Sequence, residues 1–112
     1  MAHYIKFDGI SGTSGNSAYI GYCKVFQYED DEAGNLSFRM SFAKGSGPLM
    51  SASVNGDIIA SALMVQDEDG SILMKTRYKS LMVNSAQMSK QGNSFTMSYG
   101  SSTTDYPQWS SD

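Results

Sequence analysis

Hydrophobic and polar residues alternate along most of the chain. Leu36, Phe38, Met40 and Phe42 share one parity, and Ser37, Arg39, Ser41 and Ala43 share the other. That two-residue period belongs to a strand with one buried face. The same alternation runs through 4–7 (YIKF) and 95–100, where Phe95, Met97 and Tyr99 oppose Thr96 and Ser98. In YIGYCKVFQYED (19–30), Ile20, Tyr22, Phe26 and Tyr28 fall on one side and Gly21, Cys23, Val25 and Gln27 on the other. Apolar residues on both sides predict a strand covered on one face and partly on the other. DIIASALMVQ (57–66) reads as a further strand, and ILMKTRYKSLMVNSAQM (72–88) as a long one bent or split near Ser80. Turn-forming stretches punctuate these runs: DGISGTSGNS, DDEAGN, DEDG and KQGNS. The tail adds a last short strand up to Tyr106, before Pro107 and a frayed end from about 107.

One segment breaks the pattern. After KGSGP, the residues LMSASVN give about two helical turns. Pro48 suits a first turn, where its missing N–H costs nothing, and Asn55-Gly56 suits a left-handed terminus. So short a helix is unstable alone in water, so tertiary packing must hold it. Leu49, Met50 and Val54 are the residues expected to pack it on a barrel wall. Six to eight strands with one short helix predict a mainly β protein, a small β-barrel or sandwich.

Composition narrows the function. The 112 residues predict a single domain over 1–112. The net charge of −3, with eight scattered Lys and Arg, argues against nucleic acid as a partner. No apolar run approaches the ~20 residues of a membrane span, so no membrane insertion is expected. Nor does the start resemble a cleavable signal peptide, so the chain is expected to fold in the cytoplasm and to leave the cell, if it does, by another route. Cys23 is the only cysteine, which excludes an internal disulfide and reads as a buried thiol.

Catalytic chemistry finds little to build on. His3 is the only histidine, so a Cys/His pair or a Ser/His/Asp triad would have to use it, and no strand–turn–helix presents a serine. DEDG opens like a calcium loop but lacks the later ligands and reads as a hairpin turn, as does EDDEAGN. The glycines of GISGTSG lack the spacing and the following helix of a phosphate cradle. No catalytic residue, cofactor or metal site is therefore expected. The eight Met and seven Tyr serve mostly as core fill, with a surface remainder suited to protein contact. Lys75, Arg77 and Lys79 share one face, either simply solvated or a polar channel or partner surface.

Several segments, in order, resemble the haemolysin co-regulated protein (Hcp) family, the tube subunit of type VI secretion systems. HYIKFDGISGTS is similar to that family's first strand and loop, and VFQYE to the end of its second strand. LSFRMSFAKGSGPLMSAS is similar to its strand leading into a single helix; RYKSLMVNSAQ and NSFTMSYG are similar to two later strands. The resemblance covers most of 3–106. It implies a small antiparallel β-barrel of two sheets with one short flanking α-helix, whose copies form homohexameric rings that stack into a tube, driven out of the cell by a contractile sheath together with a spike protein and cargo effectors. It implies no catalysis and no cofactor, and it places the second strand, with Gln27, on the lumen. The family's extended loop after the second strand is replaced here by the short DDEAGN, and AKGSGP lacks its Asp-Lys. The alternative is a standalone small β-barrel that binds a ligand or protein partner; a hydrolytic effector using His3 or Cys23 is a third reading.

Overall fold

The computed structural model describes residues 2–10, 19–40, 46–68, 70–89 and 92–106. Six antiparallel strands and one helix follow in the order β1 (Ala2–Phe7), β2 (Cys23–Asp30), β3 (Asn35–Met40), α1 (Ser46–Asn55), β4 (Ile58–Glu68), β5 (Ser71–Ser89) and β6 (Gly92–Asp105). The strands close into a barrel in the order β1-β2-β3-β6-β5-β4, so hydrogen bonding runs continuously around it. Closure removes the open edges that would otherwise invite pairing with other chains. Of the barrel and sandwich that the pattern left open, the barrel is observed, with the one flanking helix that the resemblance implies.

Leu36, Phe38 and Met40 all point inward, as their alternation requires, and meet Phe7, Met64, Tyr78, Leu81 and Phe95 in one core. The proposed continuation of β3 through Phe42 and Ala43, and the tail from 107, lie outside the described residues. The second strand starts later than expected. Tyr19 to Gly21 form a turn, closed by a bond from the Tyr22 N–H to the Tyr19 carbonyl (3.1 Å) with Gly21 at φ +86°. Ile20 is consequently 76% exposed rather than part of a strand face.

β5 is continuous where a bend or split near Ser80 was foreseen, and Ser80 is left-handed, at φ +57°. Tyr78 points inward before it and Leu81 after it, so the inward face changes parity across this residue, while the pairing with β4 and β6 keeps its register on either side. Gly100 lies beside it on β6, where a Cβ atom would come within 3.2 Å of the Ser80 Cβ. Without a side chain there, β6 runs on as one 14-residue strand instead of stopping at Gly100 and restarting in the tail.

The helix starts at Ser46, two residues before Pro48, which therefore lies within its first turn, where no N–H is required. It ends as foreseen: Gly56 takes φ +70° and the Asp57 N–H reaches back to the Ala52 carbonyl (3.1 Å), a Schellman closure. Leu49 is fully buried and Met50 packs at the core's margin, but Val54 is 85% exposed. The expected packing of Val54 on the barrel is thus corrected. Five residues beyond Leu49, it sits roughly 140° further round the helix. Ala52, three residues from Leu49, takes the inward place instead.

Candidate functional surfaces

Among the described residues, side chains such as Phe7, Phe38, Tyr78 and Phe95 occupy the barrel interior, and polar groups gather at a barrel end and on the outer walls. At the end where β2 turns into β3, a polar network replaces the apolar core. The Asp30 carboxylate accepts hydrogen bonds from the Tyr78 hydroxyl (2.8 Å) and the Tyr99 hydroxyl (2.7 Å). The Tyr28 hydroxyl meets that of Tyr78, and His3 stacks on the Tyr28 ring at 5.3 Å between centroids. Burial, then the neighbouring Tyr99, raises the Tyr78 phenol well above its ordinary value, so Tyr78 stays a donor. Burial also holds the His3 imidazole below its ordinary value, keeping it neutral near pH 7.

The turn that follows is compact. Asp31 Oδ1 accepts the N–H groups of Ala33 (2.8 Å) and Asn35 (3.0 Å), and its Oδ2 accepts the Asn35 amide (2.9 Å). These bonds hold the Asp31 carboxyl below its usual range. Glu32 takes φ +59° and Gly34 φ +103°, and the Gly34 carbonyl accepts the Tyr99 N–H (2.9 Å). The hairpin is therefore fastened to β6.

Gln27 marks a bulge in β2. It takes φ +53°, and the pairing of β2 with β3 slips by one residue between Phe26 and Glu29. Its exposed side-chain carbonyl accepts from Arg39 Nη1 (3.3 Å), while Arg39 Nε donates to Ser94 Oγ (3.1 Å). One guanidinium thereby ties β2, β3 and β6 together across the outer wall and draws Gln27 over β3. Cross-strand ties of this kind need the planar, multiply donating head of arginine.

Lys75, Arg77 and Lys79 lie on the outer face of β5, beside Leu63 of β4 and Thr103 of β6. The register Arg77–Leu63–Lys6 carries this cationic strip across to β1. There the Lys6 ammonium sits 5.9 Å from the centre of the Tyr22 ring. Below it, Tyr19 stacks on Tyr4 at 4.3 Å and donates to the buried Asp67 carboxylate, which also accepts the Gly70 N–H (2.9 Å).

The catalytic candidates lie on the paired strands β1 and β2, His3 opposite Val25 and Cys23 opposite Ile5. Cys23 is buried in the core, and burial pushes its thiol up to about 11, away from a nucleophilic thiolate. His3 is occupied by its stack with Tyr28. In the DEDG turn Asp67 serves Tyr19 and Gly70, and among the described residues no group of three or more His, Cys, Asp and Glu could hold a metal ion. Among the same residues no helix is long and apolar enough to cross a membrane. The Asp30 and Asp67 sites escape a reading of local pattern, because their tyrosines are 48 to 69 residues away.

No family model and no curated protein matches the sequence. Solved structures match it closely in shape. Hcp2 from Salmonella typhimurium superposes with a TM-score of 0.85 over 95% of this chain and 87% of that chain, at 20% identity. Hcp1 from Salmonella typhimurium gives 0.82 over 94% and 86%, also at 20% identity. A type VI secretion system effector from Yersinia pestis gives 0.79 over 93% and 88%, at 18% identity. The chain therefore has the Hcp fold from β1 to β6.

Proposed function

We propose that this chain is a structural, tube-forming subunit of a type VI secretion (contractile injection) system, assembling into homohexameric rings. The observation that carries this reading is the superposition on Hcp2 across nearly the whole of both chains. It is supported by a barrel interior in which, among the described residues, Phe7, Phe38, Met64, Tyr78 and Phe95 are all buried side chains. In the proposed ring, Gln27 and the Arg39–Ser94 tie face the lumen, where cargo effectors ride. The contractile sheath encloses the tube, the spike tips it, and the subunit leaves the cell with them. With the hairpin after β2 so compact, stacked rings rely on contacts other than a long loop.

Light scattering and negative-stain microscopy test this reading. Six copies of the 12.2 kDa chain give a ring of about 73 kDa with a central hole. A species of 12.2 kDa across the whole accessible concentration range would overturn the reading and favour a standalone barrel.

A further inference from the structure

A closed ring with cyclic symmetry joins two different surfaces of each copy, one to either neighbour. Oppositely charged residues lie on the two strands that flank the β3–β6 pair. β5 stands on one side of that pair and β2, which carries Glu29 and runs into the hairpin, on the other. On β5, Lys75, Arg77 and Lys79 recur at every second residue, so their side chains leave one face about 7 Å apart. That spacing lies within the ~8 Å screening length of physiological salt, so neighbouring charges repel, and Asp105 of β6, opposite Lys75, offsets part of that repulsion at one end of the strip. Among the described residues, no ion pair engages them.

The hairpin's acidic residues divide by orientation. Asp30 is turned to Tyr78 and Tyr99, and Asp31 is spent on the turn's own N–H groups. Glu29 and Glu32 are exposed, and among the described residues no ion pair engages them either. We propose that the cationic β5 strip of one copy docks on Glu29 and Glu32 of the next copy's β2–β3 hairpin. The contact rests on the ring-forming reading above and adds to it which surfaces meet. A strip that repels itself and a hairpin with two spare carboxylates each gain from the other, and like-charged edges oppose a reversed neighbour.

The test uses two charge-reversed chains, one with Lys75→Glu and Arg77→Glu, the other with Glu29→Lys and Glu32→Lys. Each alone should fall sixfold in mass by light scattering, to that of the single chain. Mixed in equal amounts they should regain the ring, because each reversed surface now meets its complement on the other chain. Persistence of the wild-type mass in either variant would overturn the contact while leaving ring formation intact, and so would a mixture that stays at the single-chain mass. Wild-type protein supplies a measurement independent of how well the variants fold. Ring dissociation on dilution should occur at higher protein concentration as salt rises from about 0.05 to about 1 M. A salt-independent dissociation curve also refutes the contact, whereas a wild-type chain that never exceeds 12.2 kDa refutes the ring reading itself.

Discussion

Replacing Leu49 by alanine tests how α1 is held. Leu49 is fully buried, with Ala52 buried beside it and Met50 at the core's margin. Truncating a buried leucine costs about 2–5 kcal/mol, through lost transfer energy and the cavity left behind. The upper part of that range applies here, because ten residues of helix have little stability of their own once their anchor is gone. For a domain of this size the loss corresponds to a fall in melting temperature of roughly 8–20 °C. Val54→Ala, at a position 85% exposed, should stay within about 0.5 kcal/mol of the parent. Urea denaturation of both variants gives the two numbers, and amide exchange over 46–55 shows whether the helix is released before the barrel opens. A Leu49→Ala cost below about 1 kcal/mol, or a Val54→Ala cost equal to it, would refute the account of how α1 docks.

Other consequences can be measured on the same protein. Tyr78→Phe keeps the ring but removes a donor from Asp30, and should cost about 1–2 kcal/mol in urea denaturation, whereas a neutral result would mean the network contributes no stability. Ser80→Val sets a β-branched side chain at φ +57° and should destabilise by about 1–3 kcal/mol; a cost no larger than that of Ser80→Ala counts against a left-handed corner there. The Cys23 thiol titrates at about 11 in the folded chain against 9.0 for an ordinary thiol, so the folded state keeps a proton that the unfolded chain loses first. Its contribution is full below about pH 9 and disappears as pH rises through about 11. The stability of wild type relative to Cys23→Ala should therefore decline over that window, and a constant difference would show the thiol to be unperturbed.

What could be read from the sequence was local. The alternation of Leu36, Phe38 and Met40 needs only neighbouring residues, and Gly56 ends the helix through a bond spanning five positions. Val54 was misplaced because spacing from Met50 suggested one stripe, while the barrel meets the stripe centred on Leu49 and Ala52. The merging of β6 across Gly100 depends on Ser80 in another strand, and Tyr19 finds Asp67 only once the barrel has closed.

EDDE at 29–32 shows why composition alone could not separate roles. Strict alternation from Cys23 and Val25 would point Glu29 inward and Asp30 outward. The left-handed Gln27 inserts one extra residue against β3, so Asp30 pairs with the buried Leu36 and turns toward Tyr78 and Tyr99. The same slip sends Glu29 out to solvent. A single bulge therefore decides which carboxylate seals the barrel end and which stays exposed to solvent. Arg39, by holding Gln27 across the wall, acts on both.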